Sequence, residues 1–315
     1  MSVKHPIVAV TGSSGAGTTT VQHAFKDIFR REGINAVFVN GNSFRRYDRV
    51  KMKHVVQESV TAGKPISHFG PEANLFEELE TLFHEYSKTG TGKLRHYVQD
   101  DEAGIYDQEP GTFTPWSPVP EEADLLFYEG LHGGVCSASW TRRRNGSVQT
   151  SGTRERRGKA AGVNVARWVD LLIGVVPIVN LEWIQKIHRD CHKKGCSAEA
   201  VTATILRRMH DYVHFIVPQF SLTDINFQRI PLVDTSNPFV TREIPTADES
   251  MVVIHFREPK KQNFPYLLNK IDGSFMSRPS TLVAPGGKMG FALELICTPI
   301  IHQMLEQKHR ERVTA

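Results

Sequence analysis

The chain has 315 residues, 40% of them hydrophobic and 23% charged, a balance that suits a globular protein with one large α/β core or two modest ones. No run approaches eighteen consecutive apolar residues, and Met1 to His5 leads straight toward a strand, so neither a transmembrane helix nor a signal peptide is expected and no membrane contact is predicted. The net charge of +4 does not spread over the surface: between Ser137 and Gly162 six arginines and one lysine face one glutamate, which puts +6 there and −2 on the rest of the chain.

The four cysteines, Cys136, Cys191, Cys196 and Cys297, show no metal-ligand spacing, and Cys191 and Cys196 have four residues between them rather than two. A reduced, cytoplasmic setting is the expectation. Ile7 to Thr11 is a short β-branched run that ends in Gly12-Ser13-Ser14-Gly15-Ala16-Gly17-Thr18-Thr19-Thr20 and passes into an apolar-periodic segment. Strand, Gly-rich turn and helix form a phosphate-binding layout: Gly12, Gly15 and Gly17 let the backbone approach an anion, and free amides with the helix dipole favour negative charge at Thr18 to Thr20. Thr19 stands where this motif places a hydroxyl for Mg²⁺. The regular spacing would put lysine at 18, where the chain has Thr18, and a dinucleotide fingerprint fits worse because Thr20 replaces the third glycine.

The following helix puts Val21, Phe25, Ile28 and Phe29 on one face and ends at Gly33, before a second β-branched run, Ile34 to Val39. A strand, a helix and a strand in that order predict a right-handed crossover and a parallel pair, with Asn40 to Ser43 at the carboxyl end beside the Gly-rich turn. Phe44 to Arg49 reads as a basic loop leaving that edge. Pro71 to Tyr86 repeats Leu75, Leu79, Leu82, Phe83 and Tyr86 at helical spacing. Leu94 to Asp101 and Glu109 to Pro120 are irregular connections, of a length that more often carries function than packing.

Asp124 to Tyr128 is a buried strand ending in Glu129-Gly130, and an acid at such a tip can orient Mg²⁺ or its waters. Residues 137 to 162 are too polar, basic and Gly-rich to offset the entropy of ordering, so a disordered insertion is expected, a solvated loop in preference to a nucleic-acid contact. Leu171 to Val176 resumes as a strand, and Asn180 is placed to cap a helix over Leu181 to Lys194. That helix carries Lys186, Arg189, Asp190, Lys193 and Lys194 at three- and four-residue steps, a cationic face with one carboxylate, suited to a lid over an anionic substrate. Arg207, Arg208 and Arg229 add further cations. Ile230 to Asp234 and Met251 to Phe256 are later strands, and Met289 to Arg312 is an amphipathic closing helix.

Gly12 to Thr18, Tyr128 to Gly133, Val179 to Asp190, Pro218 to Arg229 and Val233 to Phe239 together resemble the bacterial phosphoribulokinases, over nearly the whole chain apart from the basic insertion and the ends. The resemblance accounts for the absent lysine, because this class resembles P-loop kinases that do without it. It implies one kinase domain over residues 1 to 315, a nucleoside-monophosphate-kinase-like α/β fold with a mostly parallel mixed sheet flanked by helices, and transfer of the γ-phosphoryl of ATP to O1 of ribulose 5-phosphate. It further implies that Gly12 to Thr20 hold the ATP phosphates, that Thr19, Glu129 and Asp190 serve Mg²⁺, and that Lys186 and Arg189 neutralise charge on the transferring group. Arg45, Arg49 and Lys194 would contact the sugar phosphate. A homo-oligomer with NADH as activator and AMP as inhibitor is also implied, and a nucleic-acid partner is not.

The chain departs from the family pattern Gly-Asp-x-Phe-His, reading Gly41-Asn42-Ser43-Phe44-Arg45. The family's aspartate is taken as the base that accepts the sugar hydroxyl proton, and an amide cannot do so. A general base contributes about 10²- to 10⁴-fold, or roughly 3 to 5.5 kcal/mol of barrier. Gln99 stands in place of a family histidine, and Lys194 in place of an arginine with its bidentate fork. An impaired kinase is therefore the expectation, with a non-catalytic nucleotide-binding subunit of the same fold as the alternative. Asp48 is the nearby carboxylate that could take over as base.

Overall fold

The computed structural model describes residues 4–12, 18–63, 66–138, 162–176, 178–239 and 243–314; the side chains of 18–20, 193–194 and 311–314 fall outside that description. Most of the expected basic insertion and the interior of the Gly-rich turn, Ser13 to Gly17, lie outside the described residues.

Ten strands and seven α-helices are described. The strands are β1 (Ile7–Gly12), β2 (Ala36–Asn40), β3 (Lys93–Leu94), β4 (Ser117–Pro118), β5 (Leu125–Gly130), β6 (Leu171–Val176), β7 (Ile225–Pro231), β8 (Ser250–Phe256), β9 (Phe275–Arg278) and β10 (Thr281–Pro285). The helices are α1 (Thr18–Arg31), α2 (Arg49–Thr61), α3 (Phe76–Thr89), α4 (Val179–Lys194), α5 (Ala198–Asp211), α6 (Phe264–Lys270) and α7 (Met289–Thr314). Eight strands form one sheet in the order β2-β5-β1-β6-β7-β8-β10-β9. The first five run parallel and the last three join antiparallel, which is the mostly parallel mixed sheet expected of the kinase fold.

Alternate residues of the same strands feed two cores, as a sheet covered on both faces requires. Val8 and Val10 point with Leu125, Phe127 and Ile173 toward α1 and α7, whereas Ile7 and Ala9 point with Leu126, Tyr128 and Leu172 toward α3. The stripe Val21, Phe25, Ile28 and Phe29 is buried, and Phe25 packs on Phe127 with ring centroids 4.8 Å apart. In α7, Met289, Ala292, Leu293, Ile296, Cys297 and Ile301 are buried at steps of one, three and four, one face of the helix. Gly33 adopts φ +66° after α1, as its stop position demands.

Several expectations fail. The first two strands are parallel but not paired, because β5 lies between them and bonds to both. The loop expected over Phe44 to Arg49 is short, residues 45 to 48, because Asp48 already caps a helix, its Oδ1 accepting from the Lys51 amide at 2.7 Å. Helix α2 buries only Met52 and Ser59, so no apolar stripe announces it. Helix α3 starts at Phe76 rather than Pro71, and α4 starts at Val179 with Ile178 at its cap and no side-chain cap bond, so Asn180 lies inside the first turn. The strand placed at Ile230 to Asp234 runs instead from Ile225 to Pro231.

Candidate active site

The carboxyl ends of the parallel strands share one rim of the sheet, where open α/β sheets hold their ligands. Gly12 ends β1 there, and α1 begins after the five undescribed residues, so the strand-turn-helix context of the phosphate-binding motif is present. Registry places Glu129 opposite both Val10 of β1 and Asn40 of β2. Beyond them, Gly41 and Gly130 touch backbone to backbone. A Cβ built on Gly130 would lie 2.8 Å from the Gly41 Cα, and one on Gly41 would lie 2.5 Å from the Tyr128 hydroxyl. No residue with a side chain fits at either place, and Asn42 follows directly on this contact, two residues past the Asn40 that pairs with Glu129.

Asn42 sits in the 3₁₀ turn Gly41–Phe44, its amide N–H donating to Asn40 Oδ1 at 2.9 Å. Among the described residues its side-chain amide makes no hydrogen bond. Arg95 braces the same turn, donating from Nε to the Ser43 carbonyl at 2.9 Å and from a terminal nitrogen to the Arg45 carbonyl at 2.6 Å. Its guanidinium stacks 3.8 Å from the Phe113 ring centroid and 4.8 Å from that of Trp116. His132 is buried two residues past Gly130, with Nε2 3.1 Å from the Phe69 carbonyl, and burial pushes its pKa down to about 3. It is a neutral structural imidazole that fixes the loop carrying His68 and Phe69.

A cavity of about 1030 Å³ opens beside this rim, between α2, the 97–100 segment, α4 and α5. Six cations line it, Arg45, Arg49, Lys53, Lys186, Arg189 and Arg208, against the carboxylates of Asp48, Asp100 and Glu182. Arg45 lies 5.2 Å from the centre of the Tyr97 ring, and burial lowers its pKa, with the Arg49 charge adding to that. Burial likewise lowers the Arg208 pKa, reinforced by Arg207 and Arg45 and opposed by Asp190. On α4, Lys186 donates to Asp190 Oδ2 at 2.7 Å and Arg189 Nε to its Oδ1 at 3.2 Å, with Asp190 itself buried. Burial depresses the Lys186 pKa while Asp190 holds it up, so the amine keeps a partner in a site that disfavours its charge. Such a basin is suited to a phosphorylated anion, whose charge would relieve the repulsion among the cations.

Of the sequence-predicted residues, Arg45, Arg49, Lys186 and Arg189 line this cavity; Asn42 and Glu129 do not, although Leu131, two residues past Glu129, does. Lys194 ends α4, its side chain outside the described residues. Arg49 is not a free fork: it meets both oxygens of Asp100, at 2.6 and 3.2 Å, and lies 3.4 Å from the Tyr97 hydroxyl. Asp48 faces the cavity with its carboxylate engaged as a helix cap. Arg229 lies elsewhere, bonded to Ser250 Oγ at 3.1 Å and to the Pro245 carbonyl. Sequence reasoning missed Lys53, Glu182, Tyr97, Asp100 and Arg95; the last three fall on or beside the 94–101 connection, and its length was the available signal.

Among the described residues no helix is long and apolar enough to cross a membrane. Residues 7–236 match the model of the Phosphoribulokinase / Uridine kinase family. The chromosomal phosphoribulokinase of Cupriavidus necator is 55% identical over 312 residues, covering 98% of this chain and 99% of that protein. The phosphoribulokinase of Nitrobacter vulgaris is 53% identical over 309 residues with the same coverage. The solved phosphoribulokinase from Rhodobacter spheroides superposes with a TM-score of 0.83 at 50% identity, over 98% of this chain and 99% of that one. The rim of parallel strand ends, the cationic basin beside it and these full-length matches lead to one assignment: the chain belongs to the phosphoribulokinase/uridine kinase family, on its phosphoribulokinase side.

Proposed function

We propose that the protein moves the γ-phosphoryl group of ATP onto O1 of ribulose 5-phosphate, giving ribulose 1,5-bisphosphate, the Calvin-cycle reaction. The observation that carries this reading is the cavity in which six cations surround a space next to the Glu129 end of β5. In this reading Gly12 to Thr20 cradle the ATP phosphates, and Arg45, Arg49 and Lys194 hold the sugar phosphate. Lys186 and Arg189 spread the charge that builds on the transferred group, which is most of what phosphoryl transfer asks of a protein.

The residues also fit Mg²⁺ arriving with the nucleotide. Among the described residues no three His, Cys, Asp or Glu side chains form a metal cage, but Mg²⁺ on a nucleotide needs only one or two carboxylates and keeps its waters. Glu129 is that carboxylate, with Thr19 as the hydroxyl partner; bound there, the ion would neutralise phosphate charge. Asp190, with both oxygens already bonded to Lys186 and Arg189, reaches the metal only through its water shell and chiefly aims those two cations.

Asn42 occupies the base position. Its amide orients the sugar hydroxyl without accepting the proton, so the hydroxyl loses it to solvent or to a phosphate oxygen, at a cost of about 10²- to 10⁴-fold in rate. A coupled assay of ATP and ribulose 5-phosphate tests this directly. Turnover above that of Glu129→Ala is expected, and Asn42→Asp is expected to raise kcat about tenfold or more. If neither the parent nor Asn42→Asp exceeds Glu129→Ala, the kinase reading falls.

The altered base favours a second reading, a nucleotide-binding subunit without catalysis. Calorimetry that finds ATP binding but no binding of ribulose 5-phosphate would select it. Homo-oligomer formation, activation by NADH and inhibition by AMP belong to the first reading through the family resemblance, as does a cytoplasmic location.

A further inference from the structure

The Pro218 to Arg229 stretch lines no part of the cavity, yet it holds the most connected polar side chain near the site. Gln219, on the turn Val217–Ser221, is 1% exposed. Its Oε1 accepts from the Gly134 amide at 3.0 Å and lies 3.2 Å from the Thr11 hydroxyl. Its Nε2 donates to the carbonyls of Leu131 at 3.0 Å and Phe215 at 2.9 Å. Three positions of the amide are filled by backbone groups, and the single proton of the Thr11 hydroxyl is within reach of both Gln219 Oε1 and the Leu131 carbonyl, each 3.2 Å away.

These partners belong to three different parts of the site. Thr11 precedes Gly12 at the end of β1, where the phosphate-binding turn begins. Leu131 stands two residues past Glu129 and lines the cavity. Phe215 lies in the π-turn Tyr212–Ile216 that continues α5; the end of that helix brings Arg208 and Met209, and the turn brings Tyr212, into the same cavity. The partners are loop and strand-end groups, so losing them frees the ends of β1 and β5 while leaving the sheet ladder intact.

We infer that Gln219 is a positioning residue for phosphoryl transfer, holding the acidic end of β5 in register with the nucleotide end of β1 and with the α5 wall of the sugar-phosphate cavity. This rests on the kinase reading above for its chemistry, though not for its geometry. Only an amide of this length supplies an acceptor to Gly134 and Thr11 and two donors to Leu131 and Phe215. A carboxylate would turn acceptor against acceptor, and an aliphatic chain would leave buried groups unpaired. A displacement of about 1 Å in a reacting group can cost about a hundredfold in rate.

Gln219→Met and Gln219→Glu, each made in the parent and in Asn42→Asp, test the inference by kinetics and amide hydrogen exchange. For Gln219→Met, kcat is expected to fall about tenfold to a hundredfold, with the KM of both substrates within about threefold. The Gly134 amide should exchange faster while β8 and β10 keep their protection. For Gln219→Glu, the protonated acid restores one donor, so its kcat relative to the parent should rise as pH is lowered. A kcat within twofold of the parent for Gln219→Met, or faster exchange spread evenly over the sheet, overturns the role. If the methionine variant does not fold, a pH-independent ratio for the glutamate variant overturns it instead. Should neither the parent nor Asn42→Asp turn over, the kinase reading fails by itself, and the exchange pattern alone decides whether Gln219 holds the two strand ends.

Discussion

The two faces of the central sheet are built from alternate residues of the same strands, yet they are unlike. The face under α1 and α7 is a cluster of aliphatic, phenyl and sulfur-bearing side chains running from Val8 to Ile301, with the buried Lys308 at the far end of α7 donating to the carbonyls of Ala123 and Asp124. The face under α3 also buries Thr11, Ser43, Asn74, His132 and Gln219 among its apolar groups. Asn74 is representative: its Nδ2 donates to the carbonyls of His68 and Gly70 at 3.0 and 2.8 Å, tying down a loop whose His68 and Phe69 line the cavity. Apolar packing is non-directional and serves stability, whereas satisfied buried hydrogen bonds fix the places of the loops that a reaction depends on. The site therefore grows out of the more polar face and leans on the other only for support.

That division can be broken from either side. Phe256→Ala removes a ring that is 1% exposed and packs at 5.3 Å on Phe264, far from the cavity; it should cost about 3 to 5 kcal/mol in chemical unfolding and leave the kcat of the folded enzyme within twofold. His132 acts through pH. The unfolded chain protonates this imidazole below about 6.5 while the fold keeps it neutral down to about 3, so its contribution to stability is lost as pH falls through that interval. At pH 5 the loss is about 2 kcal/mol relative to pH 7, and His132→Gln, which keeps a donor for the Phe69 carbonyl, should flatten that part of the unfolding profile. A profile equally steep in both proteins would show that another group is responsible.

Smaller effects sharpen the picture at the cavity. Asp100 holds the Arg49 fork with a side chain 76% exposed, so a sugar phosphate bound as proposed would compete with it for the same guanidinium. Asp100→Asn should lower the KM for ribulose 5-phosphate a few-fold, the scale of an exposed ion pair, and a rise in KM would mean that the carboxylate aims Arg49 rather than competes for it. Arg30, paired with Asp27 on the outside of α1, is 82% exposed. Arg30→Ala should change unfolding by no more than about 0.5 kcal/mol and kinetics not at all.

Much of this arrangement was legible from residue spacing. The helical stripe of Val21 to Phe29, the buried strand ending at Glu129 and the six-residue strand Leu171–Val176 each declare themselves locally, through apolar period and flanking turn residues. Lys186 and Asp190 are one helical turn apart, so their ion pair is a matter of counting. What escaped depends on distance along the chain. The separation of β1 from β2 is decided by β5, whose residues come more than eighty positions later, and short-range pattern cannot see an intervening strand. Arg49 finds Asp100 across 51 positions and Arg95 finds the Ser43 carbonyl across 52, pairings that only the folded chain creates. Helix α2 escaped for another reason: it covers a cavity rather than a core, so polar side chains occupy the face that usually identifies a helix.

The bare contact between Gly41 and Gly130 has a consequence for how such an enzyme changes over time. Because the backbones meet without any side chain between them, the contact itself does not depend on which side chain the neighbouring position bears. If Asn42 holds the base position as proposed, exchange of one oxygen for one nitrogen there would change proton transfer without reshaping the scaffold, and a single codon change would separate the two states.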